Sequence, residues 1–259
     1  MNLKLKDKVF VVTGGASGIG QAVAEGLVKE NAIPFIVDKN EKNVESTVRS
    51  IKGKDKKVYH YIADLTHYDQ CIRAVEYIKK AGKSIKGLIN NAGFNDGIGL
   101  EGSSPESFLK SYHKNAAHYY YMTQLCLPDL KKSKGPIVNI SSKVAGTGQG
   151  GTSGYAAAIG ARNALTREWA VDLLKYGIRV NAVVVAECFT PLYKKWVSRF
   201  NDPQKKISEI ESRIPLKNRM TKPTEIANTV LFLLSEKSSH TTGQLIHVDG
   251  GYTHLDRAI

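Results

Sequence analysis

Two hydroxyl side chains are of types that can take part in proton transfer to and from an alcohol. Ser142 ends a short apolar run, and Tyr155 follows thirteen residues later at the start of an amphipathic stretch. A tyrosine can act as a base for a substrate hydroxyl, while a serine orients the substrate oxygen by a hydrogen bond. A free tyrosine has a pKa near ~10, so roughly one in a thousand is ionised at neutral pH. The chemistry therefore needs a nearby cation. Taken singly, Ser142 also fits a strand-end cap and Tyr155 a half-buried helix aromatic.

A glycine pattern near the N-terminus can bind a diphosphate. An apolar run at residues 9–12 leads into Thr-Gly-Gly-Ala-Ser-Gly-Ile-Gly, and a helical pattern follows. Gly14 permits a tight turn, Gly18 allows close approach of a phosphate, and Gly20 lets the helix pack against the strand. Backbone N–H groups of Ser17 and Ile19 complete a helix N-terminus that favours anions. A glycine-rich turn without a ligand is the alternative interpretation.

Asp38 ends the second apolar run, about 20 residues beyond this turn. A carboxylate there can accept hydrogen bonds from the adenosine ribose and repels a 2′-phosphate. The sequence therefore predicts NAD as the cofactor, with NADP less favoured. The adjacent Lys39 would soften that preference. A turn residue that ends the strand is the alternative role for Asp38.

These residues need a scaffold, and the pattern of apolar runs supplies one. Strands are predicted at residues 9–12, 33–37, 58–62, 87–89, 137–140, 179–184 and 245–248. Helices are predicted at residues 19–31, 42–52, 68–81, 105–131, 154–174 and 224–234. This alternation predicts an α/β fold: a Rossmann-type doubly wound parallel sheet of about seven strands with helices on both faces. We expect a single domain over residues 1–259, with an irregular substrate lid at 190–219.

Composition excludes several other classes. The chain carries 37 Lys plus Arg against 24 Asp plus Glu, a net charge of +13, but the lysines are dispersed and lack interleaved aromatic residues. A nucleic-acid partner is therefore not expected, whereas an anionic cofactor suits the charge. Three cysteines without a C-x-x-C pair give no reason to expect a disulfide framework or a metal site. The sequence has neither a signal peptide nor a membrane-length apolar run, so a cytoplasmic location without a membrane partner is expected.

Taken together, the motifs resemble those of short-chain dehydrogenases/reductases along nearly the whole chain. Residues 13–20 match the family's glycine turn, residues 90–93 read Asn-Asn-Ala-Gly, and Ser142 and Tyr155 keep the family's spacing. The resemblance implies that Asn115, Ser142 and Tyr155 form the catalytic group. It also implies a cofactor site that includes the glycine turn, Asp38 and Tyr155. The other residues of this cofactor site are Asp64, Leu65, Asn90, Ala92, Gly93, Cys188 and Thr190. Family members are commonly tetramers, so a homotetramer is expected.

The catalytic helix departs from the family pattern at one position. The family has lysine four residues after the tyrosine, where it holds the nicotinamide ribose and lowers the tyrosine pKa, but this chain has Ile159. Ile159 offers neither charge nor donor. Lys143 should point away from Ser142 if strand alternation continues, and Arg162 lies one turn further along the helix and too far to replace the amine. We therefore expect a site weakened by roughly 10²–10⁴ in rate. Ile159 is compatible with an introduced substitution, a degenerate site kept for binding or a sequence error, and the intact remainder of the site favours an otherwise normal enzyme disabled at this one position.

The loop after the sixth strand departs as well. The family commonly has Pro-Gly there, and this chain has Val185-Ala186. Thr190 still stands where a hydroxyl would contact the nicotinamide carboxamide. Val185 does not fix its φ angle, so the path of the loop is expected to differ.

The substrate is predicted mainly from resemblance. Residues 248–258 and the segment around Glu187 look like the subgroup that includes L-fucose dehydrogenases. A sugar pocket needs hydrogen-bonding groups and an aromatic face. Candidates that could supply these are Asn95, Gln149, Glu187, Trp196 and His254. The expected reaction is NAD-dependent oxidation of a secondary or anomeric alcohol, above all a free aldose such as L-fucose. A steroid, acyl or other hydroxy substrate, and a non-catalytic NAD-binding regulator, are the alternatives.

Overall fold

The computed structural model of the chain describes residues 2–52 and 57–255, and every structural statement below concerns these residues. Asp256, Arg257 and Ala258, which contributed to the resemblance at the C-terminus, lie outside them. The strands are β1 Val9–Thr13, β2 Ile33–Asp38, β3 Tyr59–Ile62, β4 Ile85–Asn90, β5 Ile137–Ser142, β6 Val180–Val185 and β7 Leu245–Val248.

All seven strands pair in parallel in the order β3-β2-β1-β4-β5-β6-β7. The direction of winding reverses between β1 and β4. In such sheets, ligands bind outside the carboxyl ends of the strands at this switch point. The predicted fold class is confirmed, and the glycine turn and residues 90–93 leave the sheet on either side of the switch.

The helices cover both faces of the sheet. They are α1 Gly18–Lys29, α2 Glu41–Lys52, α3 Tyr68–Lys80, α4 Pro105–Ser133, α5 Val144–Thr147, α6 Ser153–Asp172, α7 Pro191–Val197, α8 Pro203–Glu211 and α9 Pro223–Leu234. Two short 3₁₀ turns, Leu174–Tyr176 and Glu236–Ser238, precede β6 and β7. No helix in the described ranges combines the length and apolar character that a membrane crossing requires.

The segment 190–219 was predicted as irregular, and this was wrong in part because it contains α7 and α8. Thr190 caps α7 by accepting a hydrogen bond from the backbone N–H of Tyr193. Asp202 caps α8 through the N–H of Lys205. Both helices begin with proline, whose fixed φ suits the first helical position. The cap-and-proline pairs were present in the sequence.

The core lies on both sides of the sheet because successive strand residues face opposite ways. In β1, Val9 and Val11 pack against the α3, α4 and α6 layer, whereas Phe10 and Val12 pack against α1 and α9. This explains why β1 is an unbroken apolar run. Both of its faces are buried.

A buried histidine lies in the α4 and α6 layer. His118 is 2 % exposed, and its ring lies 4.9 Å from the ring of Tyr119. Burial and the nearby Arg162 charge lower the pKa of His118 to about 3. The ring is therefore neutral in the folded protein at neutral pH.

We predict that the free energy of unfolding falls less steeply with decreasing pH in His118→Phe than in the unaltered protein. The unfolded chain binds a proton near pH 6.5 and the folded chain near 3, so this group's contribution is present above pH 6.5 and is lost as pH falls toward 3. Between pH 6.5 and pH 5, the loss of this contribution lowers the free energy of unfolding by about 2 kcal/mol. Urea unfolding at several pH values measures it, with replacement of the exposed His240 as control. An unchanged acid slope in the variant would contradict the prediction.

Candidate active site

The glycine turn between β1 and α1 leaves no room for side chains. Gly14 and Gly18 have φ of 62° and 56°, in the left-handed region that favours glycine. A β-carbon on Gly20 would overlap the carbonyl oxygen of Gly14 and lie 2.6 Å from Asn91 Nδ2. Ser17 and Ile19 are half-buried at the start of α1. The turn therefore presents bare backbone at a helix N-terminus, the arrangement that holds a diphosphate.

Asn91 holds this turn to the end of β4. Its Nδ2 donates to the carbonyl oxygens of Thr13 and Gly14, both at 3.0 Å. Thr13 Oγ1 in turn accepts from the backbone N–H groups of Asn91 and Ala92. Asn91 is not among the residues predicted from the sequence, although it is the second residue of the Asn-Asn-Ala-Gly motif.

Asn90, which was predicted instead, points into the interior. Its Nδ2 donates to Thr123 Oγ1 and Asn139 Oδ1 at 3.1 and 3.0 Å. Its side chain therefore links β4 to α4 and β5 rather than to the turn.

Two acidic residues lie at the carboxyl ends of β2 and β3: Asp38 is the last residue of β2, and Asp64 follows β3. Asp38 accepts hydrogen bonds from the backbone N–H groups of Ala16 and Asn40, which fix its carboxylate beside the turn. Asp64 accepts from Thr66, and its other oxygen lies 3.3 Å from Lys39 Nζ. Burial opposes ionisation of Asp64, but the Thr66 hydrogen bonds and the Lys39 charge bring its pKa below the ordinary value. Lys39 is thus directed toward Asp64, which leaves Asp38 as the carboxylate nearest the turn. The adjacent Leu65 is buried in the core.

The catalytic candidates come from three elements. Ser142 is half-buried at the end of β5, and Tyr155 is half-buried in the first turn of α6. Asn115 is fully buried in α4, where its Oδ1 accepts from the backbone N–H of Phe94 and its Nδ2 donates to the Ser111 carbonyl. Asn115 therefore fixes the loop that follows β4. Ile159 is fully buried one turn after Tyr155.

Thr190 and Cys188 lie on the loop after β6. A β-carbon on Gly18 would lie 3.2 Å from Thr190 Cγ2, so this loop reaches the glycine turn. Cys188 is buried among core side chains, and burial raises the pKa of its thiol to about 12. Its side chain therefore belongs to the core.

A buried ion pair lies next to Ser142. Strand alternation ends there because Lys143 already has helical angles, φ −54° and ψ −27°. Its Nζ pairs with Glu187 Oε1 and lies 3.9 Å from the centre of the Tyr252 ring. Glu187 Oε2 accepts from the Tyr193 hydroxyl at 2.8 Å. Burial and the Glu187 charge raise the pKa of Tyr193.

The structure separates the substrate candidates into groups. Glu187 and Trp196 meet through Tyr193, whose ring lies 5.2 Å from that of Trp196. His254 packs on His247 and lines a cavity of about 610 Å³ that Ser142 and Lys143 also line. Asn95 and Gln149 are exposed, and Asn95 Oδ1 accepts from its own loop at Gly97. Glu187 therefore lies beside Ser142 through its ion pair with Lys143, and His254 shares a cavity with Ser142 that neither Tyr155 nor Asn115 lines. Trp196 is linked to Glu187 through Tyr193.

Two comparisons with known proteins agree with this geometry. A family model described as enoyl-(acyl carrier protein) reductase matches residues 14–253. The 3-oxoacyl-[acyl-carrier-protein] reductase FabG of Thermotoga maritima is 36 % identical, with 96 % of this chain and 99 % of that protein covered. The chain belongs to the short-chain dehydrogenase/reductase family. It is therefore an oxidoreductase that uses a nicotinamide dinucleotide.

Other members of the short-chain dehydrogenase/reductase family match over nine-tenths or more of their length. The L-fucose dehydrogenase of Bos taurus is 33 % identical, with 97 % of this chain and 91 % of that protein covered. The crystal structure of the Cj0485 dehydrogenase has a TM-score of 0.94 and 44 % identity, with 100 % of this chain and 99 % of that chain covered. A sugar dehydrogenase and an acyl reductase are thus both similar, so the family does not fix the substrate.

We predict that Glu187→Gln lowers the free energy of unfolding by about 3 kcal/mol, because it leaves the Lys143 charge buried without a carboxylate. The double variant Lys143→Met with Glu187→Gln should recover most of this loss, since it removes the stranded charge. Denaturant unfolding of the single and double variants measures the difference. A double variant as unstable as Glu187→Gln alone would show that the ion pair is not the cause.

Proposed function

We propose that this protein is an NAD-dependent dehydrogenase that oxidises a free aldose at its anomeric carbon, with L-fucose as the first candidate. The observation that carries the proposal is the buried Lys143–Glu187–Tyr193 network beside Ser142. A charged, hydrogen-bonding wall beside Ser142 suits a substrate with several hydroxyl groups, because an acyl chain would cover the remaining lone pairs of Glu187 without offering them a donor. The similarity to L-fucose dehydrogenase supports the same choice.

The cofactor site fits a dinucleotide. The bare backbone of the turn suits the diphosphate, and Asp38 is held where a ribose hydroxyl would meet it. A bound nicotinamide dinucleotide supplies the acceptor for the hydride that leaves the anomeric carbon.

The residues of the chain have separate tasks in this reaction. Ser142 donates a hydrogen bond to the substrate oxygen, and Tyr155 takes the hydroxyl proton. Loss of one proton and one hydride turns the anomeric C–OH group into the C=O group of a lactone. Glu187 accepts hydrogen bonds from other sugar hydroxyls, and Trp196, which is 39 % exposed, offers an aromatic face.

A 3-oxoacyl or hydroxyacyl substrate is the second candidate. The FabG relative favours it, and the exposed aromatic residues of α7 and its neighbouring loop could contact an acyl chain. The two candidates differ at Glu187, because a carboxylate in the pocket helps a polyol and hinders an alkyl chain.

We expect purified protein to reduce NAD with L-fucose and to reduce 3-oxoacyl thioesters at least tenfold less efficiently. Absorbance at 340 nm measures both reactions. Tyr155→Phe should lower kcat by roughly 10²–10⁴ because it removes the proton acceptor, with the exposed Tyr120→Phe as control. Efficient thioester turnover without aldose turnover would replace the sugar proposal with the acyl one.

We expect Asp38→Asn to raise kcat/KM for NADP relative to NAD by about tenfold or more, because it removes the charge that repels a 2′-phosphate while keeping the side-chain shape. The exposed Asp69→Asn on α3 is the matched control. A wild-type protein that already prefers NADP would disprove the assignment of NAD.

A further inference from the structure

One buried cation in the site has no acidic partner. Arg162 on α6 is 2 % exposed, and no carboxylate of the described residues lies within 4.0 Å of its guanidinium. Burying a charge without a counter-ion is costly. Lys143 is the other buried cation near Ser142, and its charge is balanced by Glu187. Arg162 is therefore a buried positive charge at this edge of the sheet that no carboxylate of the described residues balances at close range.

Three backbone carbonyls hold the guanidinium instead. Nε donates to Asn115 at 2.8 Å, Nη1 to Ile140 and Nη2 to Ala92, both at 3.2 Å. Its centre also lies 4.1 Å from the centre of the Tyr119 ring, on the electron-rich face that attracts cations. Arg162 thus joins α6 to α4, to β5 and to the loop after β4, which are the elements that carry Asn115, Ser142 and Gly93.

The charge lies directly beneath the exposed backbone of the site. A β-carbon on Gly93 would overlap Arg162 Nη2, while Gly93 itself is exposed. Helical side chains lean toward the helix N-terminus, so the arginine extends back over the turn that contains Ile159. The guanidinium thus lies against the backbone of Gly93, in the loop that follows β4 at the switch point where the cofactor is expected.

We propose that Arg162 is a positioning residue that supplies, from beneath Gly93, the positive charge that position 159 lacks. The positive charge of Arg162 weakens binding of the oxidised cofactor, whose nicotinamide ring is positive, relative to binding of the reduced cofactor, whose ring is neutral. It also favours the negative oxygen that forms when Tyr155 and the substrate share a proton. The second effect depends on the proposed oxidoreductase site, whereas the first concerns cofactor binding alone. A chain with Ile159 is then competent as it stands, contrary to the expectation from sequence.

The first test needs no substrate. Fluorescence titration gives Kd for NADH, and competition against NADH gives Kd for NAD. In Arg162→Gln, which keeps donors and removes the charge, the ratio of Kd for NAD to Kd for NADH should fall about tenfold. Arg162→Lys should keep the ratio, and the exposed Arg73→Gln on α3 is the control. Equal changes in both Kd values would show a structural role only and would overturn the proposal.

The second test moves the charge. Arg162→Gln should lower kcat at least thirtyfold with little change in KM, and adding Ile159→Lys to it should restore kcat to within about threefold. Ile159→Lys alone, with Arg162 present, should change kcat less than threefold. An acceleration of a hundredfold or more by Ile159→Lys alone would overturn the proposal, even if the arginine variants fail to fold. If L-fucose is not turned over by any variant, the aldose assignment fails and the Kd ratio still decides the role of Arg162.

Discussion

The contact between Gly20 and the carbonyl of Gly14 constrains the rest of the site. Since a β-carbon on Gly20 would overlap the Gly14 carbonyl oxygen, only glycine at position 20 lets α1 begin this close to the end of β1. Asn91 adds a second constraint by donating to both Thr13 and Gly14. These contacts therefore fix the position of the turn after β1 relative to the loop after β4. That position is the switch point of the sheet, where the cleft for a dinucleotide opens.

Charge is distributed unevenly over this edge of the sheet. Lys143 is held by a carboxylate, so its field and that of Glu187 largely cancel beyond their immediate surroundings. Arg162 is held only by carbonyl dipoles, which lower the cost of burial without removing the net charge. The two cations therefore act differently. Lys143 shapes and stabilises a polar wall, whereas Arg162 sets the local potential.

Much of this architecture could be predicted because local patterns decide it. Apolar runs such as β1 must be buried on both faces, and the glycines of the turn have few alternatives, so the fold and the phosphate-binding backbone follow from the sequence. The helices of segment 190–219 were missed although Thr190-Pro191 and Asp202-Pro203 are helix-start signals, because the two helices are short, with seven and nine residues. The role of Asn91 was missed because its partners are main-chain carbonyls 77 and 78 residues away.

The spacing of residues along a helix does not predict where the charged end of a long side chain such as Arg162 lies. Counting residues places it one turn beyond Ile159 and so too far to replace a lysine amine. That count measures the distance between backbones and ignores the reach of the side chain, which runs back toward the helix N-terminus. Its hydrogen bonds go to residues 22, 47 and 70 positions away, so only the folded chain defines where the charge lies. A charge buried under backbone is also screened by salt far less than one facing solvent. A lysine amine at position 159 would face the ligand directly. The guanidinium of Arg162 instead acts through the backbone of Gly93, which lies beside the ligand.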